Sequence, residues 1–222
     1  THRPTGGALV GPEVVRTLYT AAKNLKIDVR TNTHAEQILT DKSGRVVGLK
    51  VKGKDGTYTI HSKALVDAAG GFGANNEMVA KYVPRLKGFA TTNHPGATGD
   101  GLLLAEKIGA QLIQMDQIQT HPTVVPNVGE MITEAVRGNG AVLINKEGKR
   151  FFNELETRDK VSAAILKQKD GVAYLFFDSD MQKSLKATNN YIKQKYCLNG
   201  ATLDEVAGKM GVPADTLKAT MD

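Results

Sequence analysis

Four short clusters between Gln119 and Asp159 gather the residue types that bind anions and move protons. They are Gln119-Thr-His-Pro-Thr123, Thr133-Glu-Ala-Val-Arg-Gly138, Gly148-Lys-Arg-Phe-Phe-Asn-Glu154 and Thr157-Arg-Asp159. Any lone His or Arg is more often structural. Several polar clusters in a segment without periodicity, broken by Gly and Pro, point instead to a site. Glu134 and Arg137 stand three apart, so one helical turn brings them together as a charged pair. Such a pair is a solvated bridge at the surface, or a proton relay when buried.

Two glycine-rich turns form a second group. In Ala68-Ala-Gly-Gly-Phe-Gly73 the glycines follow an apolar run, where a backbone or a cofactor can approach closely. The next helix then offers free N–H groups to an anion. A plain tight turn explains the same residues equally well. Thr98-Gly-Asp-Gly101 precedes another helix, which Asp100 either caps or leaves in order to accept a hydrogen bond from a cofactor. The GxGxxG fingerprint of an isolated nucleotide-binding domain occurs nowhere in the chain.

The elements that must position these groups are readable from periodicity and turn residues. Residues 12–25 predict an amphipathic helix with Val15, Leu18, Ala22 and Leu25 on one face. Short strands are predicted at 27–31, 35–39, 46–51 and 58–60. The turns at Asp41-Lys-Ser-Gly44 and Lys54-Asp-Gly56 fold the later ones into a β-meander. Residues 64–69 are apolar enough to predict a strand buried on both faces of a parallel sheet. Helices follow at 76–83 and from Asp100 to about Gly109. Beyond them, strands at 141–145 and 172–178 flank a helix at 161–169. Thr202-Leu-Asp-Glu205 has capping-box spacing, and Pro213 opens a last helix. The change from glycine-and-sheet to irregular polar sequence near Gln117 sets a domain boundary, giving 1–116 and 117–222.

Composition narrows the function classes. The 222 residues are 41% hydrophobic and 23% charged, a profile of globular chains, with no apolar run long enough to span a bilayer. The net charge of +6 comes from lysines scattered over surfaces and turns. Nucleic-acid binding would cluster them among aromatics, whereas a mild positive field suits a small dianionic substrate. Cys197 is the only cysteine, so the chain has no internal disulfide, CxxC metal knuckle or CxxCH haem attachment, and no metal ligands are assigned. No signal-peptide pattern or initiator Met opens the chain, and Thr220-Met-Asp222 continues a helical pattern. Both ends are therefore expected to be cuts in a longer protein.

Together these motifs resemble the flavoprotein subunits of the fumarate reductase and succinate dehydrogenase superfamily, most closely the soluble fumarate reductases of the flavocytochrome type. His2-Arg-Pro-Thr-Gly-Gly7 at the start, Gly70-Gly-Phe-Gly73, Thr98-Gly-Asp-Gly101, His121-Pro-Thr123, Thr133-Glu-Ala-Val-Arg-Gly138, Gly148-Lys-Arg-Phe152 and Thr157-Arg-Asp159 carry the resemblance in the family's order. It implies a mixed α/β chain: part of a Rossmann-like FAD-binding domain with its β-meander, plus a smaller α+β capping domain. FAD is the implied cofactor, contacted by Ala35, Ala68, Gly70 and Asp100. A c-type haem, where the parent carries one, lies outside this chain. The resemblance makes His121, Thr133 and Glu134 ligands of a substrate carboxylate. It makes Arg158 the general acid, with Glu134 and Arg137 resupplying its proton.

The implied reaction reduces fumarate to succinate. The runner-up is a related FAD-dependent reductase or oxidase acting on urocanate, an acrylate or aspartate, and an isolated non-catalytic piece is the reading from another class. The family's N-terminal GxGxxG, its second substrate His and its carboxylate-binding Arg are absent here. About half of the active site is thus expected in this chain. The implied partners are the remainder of the parent chain and an electron-donor domain or protein, with haems, NADH and a quinol all open. The periplasm is the implied compartment, with cytoplasmic NADH-linked relatives as the alternative.

Overall fold

Apolar residues alternating with polar ones between turn signals should build an antiparallel meander, and the computed structural model, which describes residues 10–222, contains one. After helix α1 (Val10–Asn24) come β1 (His34–Thr40), β2 (Val46–Gly53) and β3 (Gly56–His61), then α2 (Asn76–Tyr82) and α3 (Asp100–Lys107). The chain continues through the one-turn α4 (Ala135–Gly138), β4 (Val142–Ile144), α5 (Arg158–Leu166) and β5 (Tyr174–Phe176). It ends in α6 (Ser179–Ser184), α7 (Ala187–Lys193), α8 (Leu203–Met210) and α9 (Ala214–Met221). The mixed helix-and-strand class expected from the sequence holds, and both sheets are antiparallel. The His2-Arg-Pro-Thr-Gly-Gly7 motif lies outside the described residues.

Two compact units emerge: one runs up to Ala68 and takes in Gly101–Gln111, the other holds Ala69–Asp100 and Leu112–Asp222. In the first, β1, β2 and β3 pair in sequence order with Ile38 and Val51 buried. Asp41 Oδ1 closes the first turn by accepting from Ser43 N at 2.8 Å and Arg45 N at 3.1 Å. The register slips between Ala35 and Gln37, a bulge that bends the strand start.

Two expected strands are not there. Residues 27–31 and 64–69 are irregular and largely exposed, with Val66 at 86%. A strand buried on both faces takes its burial and its ladder hydrogen bonds from neighbours. No described strand pairs with either run. The same shortage shows in α1, which is amphipathic as expected yet buries no residue.

In the second unit β4 is the hub, because successive side chains of a strand point to opposite faces. Leu143 packs with Val161 and Ile165 of α5, whereas Ile144 packs with Ala207, Met210, Val212 and Leu217 around α8 and α9. Ala141, just before β4, joins Val136 of α4 and Met181 of α6. Thr202 caps α8 by accepting from Glu205 N at 3.2 Å, and the Glu205 carboxylate accepts from Ala201 N at 2.9 Å. This is the expected capping box, with its return bond one residue early. Cys197 is half-buried, and burial pushes its thiol pKa up, as for a packed residue.

Candidate active site

The polar clusters of the sequence converge within the second unit. A short ribbon begins it: Ile132 N donates to Thr123 O at 2.9 Å, Val125 N donates to Glu130 O at 2.9 Å, and Val124 bridges Met131. Thr123 Oγ1 adds a bond to Ile132 O at 2.8 Å. His121 leads into one edge of this ribbon, and Thr133 and Glu134 leave the other to enter α4. His121 Nδ1 lies 3.3 Å from Thr123 N and 3.2 Å from Thr123 O, which fixes the ring plane. Its Nε2 faces Glu134 Oε1 at 3.4 Å.

Arg158 reaches the same Glu134 oxygen through Nη2, in an ion pair, and its Nη1 donates to Gln119 Oε1 at 2.6 Å. Arg158 is the first residue of α5, where the helix dipole favours anions and disfavours a cation by roughly 0.3–1 kcal/mol. Glu134 and Gln119 offset that misfit. A local rule broken at a polar cluster is what a functional site leaves behind.

Glu134 and Arg137 do not form the direct pair that their spacing suggested. Arg137 turns inward, 5% exposed, and its Nη1 donates to the Glu154 carbonyl at 2.6 Å. Its Nε is buried without a hydrogen-bond partner, and so are His121 Nε2 and Glu134 Oε1, whose contacts are short in distance but lack hydrogen-bond geometry. A buried orphaned donor beside an orphaned acceptor is costly, and a ligand or water can satisfy both.

Burial is the main influence on all three titratable groups. It pulls His121 below its ordinary value; Glu134 opposes this, and Arg158 reinforces it. Burial likewise lowers Arg137, against the charges of Glu134 and Glu154. For Glu134 burial would raise the pKa, but its own backbone N–H, then Arg158 and His121, together bring it below the usual carboxylate range. At neutral pH the cluster is therefore a neutral imidazole, a carboxylate and two guanidiniums.

The glycine turns are also brought together. Gly99 N donates to Gly71 O at 3.1 Å, Ala74 N to Ala97 O at 2.9 Å, and Asn75 Nδ2 to Thr98 O at 2.9 Å. Gly99 is buried at φ +81°, where an added Cβ would lie 2.7 Å from Phe72 Cβ. Gly70, at φ +83°, has nothing within 4 Å of the place a Cβ would take, and neither has Gly71. An open backbone face of this kind lets a flat or phosphate-bearing group approach the main chain. Asp100 follows as the exposed first residue of α3. Ala35, at the start of β1 beside the bulge, and the exposed Ala68 belong to the first unit. Within the second unit, Gly70 and Gly71 offer open main chain and Asp100 one carboxylate, groups whose chemistry suits a dinucleotide cofactor. Among the described residues no cluster of His, Cys, Asp and Glu could hold a metal.

Sequence reasoning gave no role to Gln119, Glu154 or Tyr191. Glu154 is a buried carboxylate paired with Arg150 at 2.7 Å, and Tyr191 Oη accepts from Thr133 N at 3.1 Å. Gln119 and Glu154 sit inside the dense motifs, which was their only signal. Tyr191 lies 58 residues from its partner and left none.

Residues 1–222 match the family described as FAD binding domain. The chain is 49% identical over 221 residues to a fumarate reductase (cytochrome) of Shewanella frigidimarina, covering 99% of this chain and 39% of that protein. An NADH:fumarate oxidoreductase of Klebsiella pneumoniae is 42% identical over 223 residues, covering 100% of this chain and 24% of that protein. The structure of the open conformation of a flavocytochrome c3 fumarate reductase superposes with a TM-score of 0.78 at 42% identity, covering 99% of this chain and 39% of the other. The chain thus spans about two fifths of the length of the Shewanella relatives it matches.

Proposed function

This chain belongs to the FAD binding domain family, and on that premise we propose that it forms the central part of an FAD-dependent reductase that converts fumarate to succinate. The observation that carries the reading is the Glu134 carboxylate shared by His121 and Arg158, with Arg137 buried one helical turn further on. Gly70 and Asp100 are assigned to the cofactor in the second unit, and Ala35 and Ala68, in the first, are assigned to it by the family resemblance alone. When bound and reduced by the electron donor, the flavin would supply the hydride equivalent that one alkene carbon receives and would return to its oxidised form.

The chain's own residues do the rest. His121 Nε2–H and Thr133 bind a substrate carboxylate, beside Glu134. Arg158 donates a proton to the second alkene carbon, so that hydride and proton together saturate the double bond. A guanidinium with a pKa above about 12 is a poor acid by itself. It serves here as a conduit, reprotonated through Glu134 and Arg137, whose depressed pKa eases the transfer. The two cations also favour the negative charge that builds up during reduction.

The domain division at 116/117, with residues 117–222 as the cap, belongs to this same reading. So do its partners, the remainder of the polypeptide and an electron-donor domain or protein, and its periplasmic setting. No helix among the described residues is long and apolar enough to cross a membrane.

The test is made in the full-length flavoprotein that carries this segment. Fumarate should reoxidise the reduced flavin, and Arg158→Lys should abolish turnover with FAD content intact, because lysine lacks the planar guanidinium fork. Turnover of Arg158→Lys within about tenfold of wild type, ~1.4 kcal/mol of barrier, removes Arg158 from the role. Faster reoxidation by urocanate or acrylate than by fumarate replaces the dicarboxylate.

A further inference from the structure

Thr133 stands where the ribbon hands over to α4, and the two ends of the proposed carboxylate site meet there. Upstream, Ile132 is held on both sides by Thr123, through Ile132 N to Thr123 O at 2.9 Å and Thr123 Oγ1 to Ile132 O at 2.8 Å. Downstream, Thr133 O accepts from Val136 N at 3.0 Å, and Thr133 Oγ1 accepts from Ala135 N at 3.4 Å. Glu134 lies between these anchors as the N-cap of α4, contributing no capping bond through its side chain. The Thr133 N–H faces neither ribbon nor helix. Its partner is the phenol of Tyr191, at 3.1 Å, from α7.

Tyr191 is itself held firmly. Its ring packs against the cluster of Val136, Ala141 and Met181, so one side chain touches both the core under α4 and the turn that enters it. Thr188, the second residue of α7, is fully buried, and its Oγ1 donates to Leu185 O at 2.7 Å. A rigid ring carrying one hydroxyl is a suitable strut, because it loses little rotamer freedom on ordering.

We infer that Tyr191 is a positioning residue for the carboxylate site, its hydroxyl fixing the Thr133–Glu134 turn against α7 so that Glu134 faces His121 and Arg158. The inference rests on the fumarate reductase reading and assigns to it a residue from outside the polar motifs. Removing the hydroxyl leaves a part-buried N–H unsatisfied and frees the turn, while the ring keeps the core filled.

The experiment compares Tyr191→Phe with wild type in the full-length enzyme, with His121→Ala alongside. Tyr191→Phe should raise KM for fumarate about tenfold with kcat within about threefold, a split that simple destabilisation does not produce. Hydrogen exchange should show the Thr133 amide opening about tenfold faster, a readout that needs no turnover. Unchanged exchange at Thr133, or faster exchange with KM within about twofold of wild type, overturns the role of Tyr191. Failure of the underlying reading looks different: there His121→Ala leaves KM normal. A raised KM in His121→Ala with a normal one in Tyr191→Phe sinks the Tyr191 assignment alone.

Discussion

Glu134 Oε1 faces His121 Nε2 at 3.4 Å and is also the oxygen that Arg158 pairs with, so one carboxylate sets the position of both neighbours. His121 Nδ1 lies against both the N–H and the carbonyl of Thr123, so the ring is held in either tautomer, and the one with its proton on Nε2 is the one that can offer it to a carboxylate. Burial holds the folded-state pKa of His121 below 6.5. On acidification the unfolded chain takes up this proton first, so stability is full above about pH 6.5 and falls as pH drops through the window between the two values. Glu134, lowered from 4.5, loses its own contribution only at more acidic pH. His121→Gln removes the first titration and leaves the second. Melting temperatures measured from about pH 7.5 to about pH 5 should therefore fall more steeply in wild type than in His121→Gln. Parallel curves would mean that His121 titrates as a solvated imidazole.

At the scale of elements, the strap between residues 71–75 and 97–99 depends on a glycine. Gly99 combines φ +81° with a Cβ position 2.7 Å from Phe72 Cβ and 2.9 Å from Met78 Sδ. Alanine there adds left-handed strain and a core clash, together about 2–4 kcal/mol. Gly88→Ala, at φ +83° with nothing within 4 Å, adds the strain alone and should cost about 1 kcal/mol. Denaturant unfolding of the two variants separates packing from backbone, and equal losses would show that Gly99 is held by φ only. Such close packing cannot be read from Thr98-Gly-Asp-Gly101 by itself. The meander could be read, because alternation and the Asp41 turn are local signals, and so could the Thr202 cap. The runs at 27–31 and 64–69 misled, because an apolar run records a demand for neighbours and says nothing of which strands meet it. α6 and α7 are short and mostly polar, so no period announced them. Within the site, His121, Glu134, Arg137 and Arg158 stood out by density. The inward turn of Arg137 to the Glu154 carbonyl is a choice of side-chain direction that spacing leaves open.

Over the whole molecule the apolar surface is distributed unevenly. β4 and the Ala141 that precedes it gather three packed clusters in the second unit, while in the first unit Val14, Val15 and Leu18 of α1 and Val66 stay uncovered. The exposed apolar face of α1, with Val14 and Val15 one helical turn from Leu18, suits the docking of other protein, and on the proposed function that protein is the remainder of the polypeptide. The groups proposed to meet the cofactor show the same incompleteness. In the second unit Gly70 and Asp100 offer main chain and one carboxylate, yet no GxGxxG occurs in the 222 residues to cradle a pyrophosphate at a helix N-terminus. The pyrophosphate carries most of the charge of a dinucleotide, so its missing cradle outweighs the contacts that are present. The 222-residue chain alone should therefore bind FAD more weakly than about 1 μM, with a binding free energy smaller than the ~8.2 kcal/mol that such an affinity represents. Isothermal titration of the isolated chain with FAD measures this directly, and a gel-filtered sample should come off colourless. Sub-micromolar binding by a yellow, monomeric chain would show that the open glycine face and Asp100 suffice, and that the apolar surface of α1 serves something other than completing the cofactor site.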